Sequence, residues 1–215
     1  LMLEEVRRLS SRFRPSFVRR ALLAICVWIG PQAAADMITT ARYTDPTTRY
    51  AHGVLGDDVE WGALEVGVDT GSGPQTYRFI LPQDRVFEDT APRLWDVTGD
   101  GRPEVVVVET QMNRGAQLAV YNETGKIAST PHIGQANRWL APVGAIDLTG
   151  DGQIEVLFVD RPHLRKSLEV YTFRDGALFP LTRLSPVTNH RIGDDYISGG
   201  LRDCANAGEG VMSRL

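Results

Sequence analysis

The chain has 215 residues, 42% of them hydrophobic and 23% charged, with 21 Gly and 12 Pro, a composition that suits one well-buried globular domain of short strands and tight turns and excludes extensive disorder. The formal charge is −4, but residues 1–35 hold six arginines against Glu4 and Glu5, which leaves 17 basic and 25 acidic residues, net −8, in the remainder. So acidic a domain, with no basic stripe, excludes nucleic acid and anionic membranes as partners and tolerates a divalent cation.

From the N-terminus, Arg19-Arg20 precede nine apolar residues, Ala21 to Ile29, then Gly30-Pro31 and Ala33-Ala34-Ala35. A basic flank, a short apolar core, a helix breaker and an A-x-A site predict a secretory signal peptide within a 1–35 leader, cleaved before Asp36. Nine residues fall well short of the roughly 20 that span a bilayer, and Ile25 argues against a lipoprotein signal ending at Cys26. The expected location is therefore exported, periplasmic or extracellular, with no membrane insertion after leader removal. Cys26 and Cys204 are too few for a disulfide framework, and loss of the leader leaves Cys204 alone.

Residues 36–215 read as an all-β repeat domain. Its first unit, 43–91, has expected strands at Tyr50–Leu55, Val59–Asp69, Gln75–Leu81 and Arg85–Glu88. In the second unit, 92–140, Pro92–Val97 enters a loop, Glu104–Thr110 leaves it as a buried strand, Ala116–Tyr121 ends at an Asn122-Glu123-Thr124-Gly125 turn, and Lys126–Ser129 closes. The third unit, 141–194, repeats this with Pro142–Leu148, Glu155–Asp160, Ser167–Phe173 and Ala177–Leu184. A final stretch, 195–215, contains Ile197–Asp203 as the strand entering a further loop. Four antiparallel strands in about 50 residues make one β-propeller blade, and three blades with a partial fourth predict a propeller incomplete at its C-terminus.

The strongest signal is a repeat. Asp96-Val97-Thr98-Gly99-Asp100-Gly101-Arg102-Pro103-Glu104 returns as Asp147-Leu148-Thr149-Gly150-Asp151-Gly152-Gln153-Ile154-Glu155, each followed by an apolar run. Glycines permit a curled backbone on which carboxylates and a hydroxyl converge, forming an oxygen cage of the kind Ca²⁺ accepts. The predicted ligands are Asp96, Thr98, Asp100, the Arg102 carbonyl and Glu104, then Asp147, Thr149, Asp151, the Gln153 carbonyl and Glu155. Their expected role is structural, tying one strand to the next. The competing reading is a pair of Asp-Gly turns in which the carboxylates bond backbone amides and no metal is held.

On these motifs the chain resembles the FG-GAP or VCBS repeat family of integrin-α-like propellers, over roughly residues 45–204. Thr98 and Thr149 depart from the family loop, which carries Asp or Asn there, and a neutral hydroxyl lowers calcium affinity. The resemblance implies a non-enzymatic, exported binding or scaffold module whose partner is a protein or glycan.

Other chemistry is faint. His52, His132, His163 and His190 lie in separate segments without metal-ligand spacing and read as loop or packing residues. Trp61, Trp95 and Trp139 read as inter-blade packing rather than as a lectin-like aromatic pocket. Two alternatives remain open at this point: a hydrolase on the same scaffold acting on polysaccharide or phosphoester, and a truncated product without function. An enzyme would be distinguished by acids and histidines gathered at a pocket with displaced pKa values.

Overall fold

The computed structural model describes residues 36–203 and 209–211. The leader with its cleavage site, Cys26 and Cys204 lie outside the described residues. Every regular element described is a strand, and all pairings are antiparallel. In chain order these are β1 (Met37–Thr47), β2 (Glu60–Thr70), β3 (Gly73–Ile80), β4 (Arg85–Phe87), β5 (Arg93–Trp95), β6 (Glu104–Gln111) and β7 (Gly115–Asn122). They continue with β8 (Gly125–Ser129), β9 (Leu140–Ile146), β10 (Glu155–Asp160), β11 (Ser167–Arg174), β12 (Ala177–Leu184), β13 (Leu201–Asp203) and β14 (Glu209–Val211).

Strands β9 to β12 form a four-stranded sheet in the order β12-β11-β10-β9, the meander expected of one blade. An eight-stranded sheet runs β1-β2-β4-β6-β7-β8, with β3 on β2 and β5 on β6. Within it, β5 to β8 repeat the blade pattern. The repeat extends to an irregularity. Pairing slips by one residue after Val120 in β7 and again after Val170 in β11, leaving Ile127 and Leu181 without a cross-strand partner.

Alternation along the strands explains why the layers stack. In β6 the valines are buried on both faces, so the run Val105–Val108 has no polar gap. Val105 and Val107 face a cluster with Leu64, Val66 and Phe87, whereas Val106 and Val108 face one with Val156 and Phe158. Strand β10 does the same one layer further on: Val156 and Phe158 point back to β6, and Leu157 and Val159 join Leu168 and Val170. Strand period two thus assigns each residue of a repeat to one of the two clusters that flank its strand, of which the one containing Val106, Val108, Val156 and Phe158 spans both sheets.

Four segments depart from the sequence reading, one of them Ile197–Asp203, which is strand only over Leu201–Asp203. Tyr50–Leu55 is not a strand but a loop with Tyr50 and Val54 buried. The outer strand of the first layer is β1, where Asp45 (φ 57°) and Pro46 suggest a break. Pro46 is tolerated because β1 is an edge, where a missing N–H costs no ladder bond. Finally, Arg85–Phe87 pairs along β6, through Arg85 with Gln111, Val86 with Thr110 and Phe87 with Glu109, and touches β2 at one position, Trp61 with Phe87. The strand entering the first repeated loop is consequently broken into β4 and β5, and the break exposes no backbone group of Glu88: its N–H donates to Val108 O and its carbonyl accepts from Trp139 Nε1.

Candidate functional site

The two repeated loops, β5–β6 and β9–β10, lie at the same end of their sheets. In the first, Asp96 Oδ1 accepts from the N–H groups of Gly99 (2.7 Å) and Asp100 (3.2 Å), and Oδ2 accepts from Gly101 (2.8 Å). Glu104 reaches back to the loop entrance, its Oε2 accepting from Val97 N (2.8 Å) and Thr98 N (3.2 Å) and its Oε1 from Thr98 Oγ1 (3.1 Å). The second loop repeats these bonds: Asp147 accepts from Gly150, Asp151 and Gly152, and Glu155 from Leu148 and Thr149. Gly99, Gly101, Gly150 and Gly152 all have φ between 76° and 85°, which aligns successive N–H groups on one carboxylate.

The loops differ at their tips. Asp100 takes both the Arg102 N–H and its guanidinium, and that bonding holds the Asp100 carboxyl below its ordinary pKa. Asp151 is held instead by the backbone and the neutral side-chain amide of Gln153. Burial pushes the Glu104 carboxyl up, opposed by the amides of Val97 and Thr98. All ten residues expected as ligands, including Arg102 and Gln153 through their carbonyls, thus fall in two compact loops, with their carboxylates turned onto N–H donors. Among the described residues no group of three or more His, Cys, Asp or Glu side chains is gathered as a metal cage.

A second constellation occupies the opposite end of the strands, where β4 and β10 finish and β9 begins. A pocket of about 250 Å³ is lined by residues from four loops, including His52, Arg138, Trp139, Arg161 and His163. Its floor is Trp139, 2% exposed, with the His163 ring parallel to it at 6.3 Å and the His190 ring edge-on at 4.9 Å. His163 Nε2 lies 2.9 Å from His190 Nδ1. His52 Nδ1 bonds Glu88, whose other oxygen accepts from Thr110 Oγ1 at 2.6 Å. Glu88 is fully buried, and burial raises its pKa against the pull of His52 and Thr110. Burial, with the neighbouring His190, lowers that of His163.

Sequence reasoning missed this grouping. His52, His163 and His190 are 111 and 27 residues apart along the chain, in loops whose approach depends on how the sheets stack, and Glu88 enters through the unpredicted break between β4 and β5. Trp139 does pack between layers, as expected, and also floors the pocket. His132 is apart from the group, on the Gly115 carbonyl.

Stacked antiparallel sheets, each carrying the same Asp- and Gly-rich loop between two of its strands, define a protein of β-propeller-like blades. Residues 96–158 match the family model described as an FG-GAP-like repeat, from the first aspartate of one loop into the strand that follows the other. Comparison with curated proteins and with solved structures gave no significant match.

Proposed function

We propose that the chain is an exported, non-enzymatic binding or scaffold module whose repeated loops act as structural ties that take up calcium. One observation carries this reading: the same carboxylate-to-amide network recurs at the same place in two successive layers, so the acids of the motif brace strand junctions. Export rests on the leader pattern of residues 19–35.

The donor chemistry of both loops fits calcium, being oxygen throughout. The second fits better. Asp151 is bonded to uncharged partners, whereas Asp100 already carries the positive charge of Arg102, which a cation would have to displace. Bound calcium would supply charge neutralisation between the strands that Asp147 and Glu155 now join through amides alone.

Thermal unfolding with calcium and with excess chelator tests this, because a ligand held only by the native state raises its melting temperature. The expected result is a rise with calcium that Asp151→Ala reduces more than Asp100→Ala does, with little effect of either variant in chelator. An identical transition in both media would leave the loops as amide-tied turns and remove calcium from the reading.

The hydrolase reading has its own observation, the His52–Glu88 pair beside a pocket. Turnover of a chromogenic phosphoester that His52→Ala abolishes would favour it over the binding module.

A further inference from the structure

The pocket opposite the repeated loops has a charge unlike that of its surroundings. The domain is acidic, yet no Asp or Glu lines the pocket, while Arg138, Arg161, His52 and His163 do. Arg161 donates through Nε and Nη2 to Asp160, and the same carboxylate also receives Arg165, which is paired with Glu169 as well. Arg138 donates through Nη1 to the Asn137 carbonyl and has no carboxylate partner among the described residues. A planar fork with donors to spare recognises carboxylate or phosphate.

The imidazoles add acceptors. His190 Nε2 lies 3.0 Å from the Asp194 carbonyl, which only accepts, so the proton of a neutral His190 is on Nε2 and its Nδ1 is a lone pair. His163 Nε2–H donates to that lone pair, which leaves His163 Nδ1 as an acceptor. By the same reasoning His52, donating through Nδ1 to Glu88, keeps Nε2 as an acceptor when neutral. Fixed lone pairs beside cationic donors call for a ligand with both hydroxyl groups and negative charge. Val54, Pro162, Leu164 and Ile192 supply apolar wall for a ring face, and about 250 Å³ is below the usual 300–1,000 Å³ of drug-sized sites, matching a single ring.

We propose that this pocket binds one monosaccharide-sized anion carrying hydroxyl groups, a uronic acid or a sugar phosphate, with Arg138 and Arg161 on the anionic group and His52 and His163 accepting from hydroxyls. It rests on the binding-module reading only in naming what that module holds, and a calcium-tied scaffold stands whether or not the pocket is filled.

Calorimetric titration of the full chain with glucuronate, glucose 6-phosphate, glucose and inorganic phosphate tests it. Glucuronate or glucose 6-phosphate is expected to bind about tenfold or more tighter than glucose and than inorganic phosphate, and the tighter of the two identifies the anionic group as carboxylate or phosphate. Arg138→Gln is expected to weaken that binding about tenfold with an unchanged melting temperature. His163→Phe, which keeps a ring on Trp139 and removes the acceptor, is expected to weaken it several-fold. Equal binding of glucose, equal binding of inorganic phosphate, unaltered affinity in Arg138→Gln, or no binding of either sugar anion at about 10 mM would each overturn the proposal. The calcium melting test reads the other end of the strands, so failure here and failure there are separate results.

Discussion

At the residue scale, buried carboxylates have three different fates set by their neighbours. Glu109, fully buried, accepts from Arg85, Lys126 and Tyr121 Oη, and its pKa is lowered despite the burial. Glu104 spends its charge on amides. Glu60, 3% exposed, has neither help: burial, with Glu88, Asp57 and Asp89 nearby, pushes its pKa up to about 9. An acid raised in the folded state keeps its proton after the unfolded chain has lost it, so between about pH 4.5 and 9 unfolding releases a proton and stability falls as pH rises. Wild type should therefore lose stability from pH 5 to pH 8, at up to about 1.4 kcal/mol per pH unit from this group. Glu60→Gln should flatten that slope, read from urea midpoints across the range; an unchanged slope would mean Glu60 ionises in the folded protein.

At the element scale, the tight β6–β7 hairpin carries the segment that places Arg138. Gly115 has φ of 74°, and a Cβ there would lie 2.3 Å from Gln135 O and 2.9 Å from Arg138 O. Ala116 N donates to that same Arg138 carbonyl at 2.9 Å, and Ile133 N and Gly134 N donate to Ala116 O and Arg114 O, so the hairpin holds the segment at several points. Gly115→Ala combines an unfavourable φ with backbone overlap and should cost about 2–4 kcal/mol in chemical denaturation. A loss below about 0.5 kcal/mol would show that the 135–138 segment moves freely. The broken strand of β4 and β5 is the other element with consequences, because a continuous strand like β9 would not carry Glu88 to His52.

At the scale of the whole molecule, the eight-stranded and four-stranded sheets share a core. Val106, Val108, Leu118 and Val120 from one meet Val156, Phe158 and Leu178 from the other. Neither sheet can lose its partner without exposing that surface, so unfolding should be a single transition in which tryptophan fluorescence and far-ultraviolet circular dichroism coincide. Phe158→Ala should lower both midpoints together, by about 3–5 kcal/mol. Separate midpoints, with the fluorescence of Trp61 and Trp95 unmoved, would mean the sheets unfold independently.

The blade pattern from Glu104 onward was legible because it is local: valine runs, Gly-containing turns and a duplicated loop each act within a few residues, and Glu155–Asp160 and Ala177–Leu184 form strands with the bounds expected of them. The loops were legible for the same reason, since Asp96 and Gly101 are close in sequence and can bond however the sheets stack. Strand β1 and the break at Glu88 were not, because Pro46 and a short apolar run are ambiguous until edge position and pairing are known. The sequence by itself determined a repeated all-β architecture and two Asp-Gly loops, interactions of short range along the chain. Only the tertiary structure decided the pocket, where His52, Trp139 and His163 meet through the stacking of layers that local propensity does not encode.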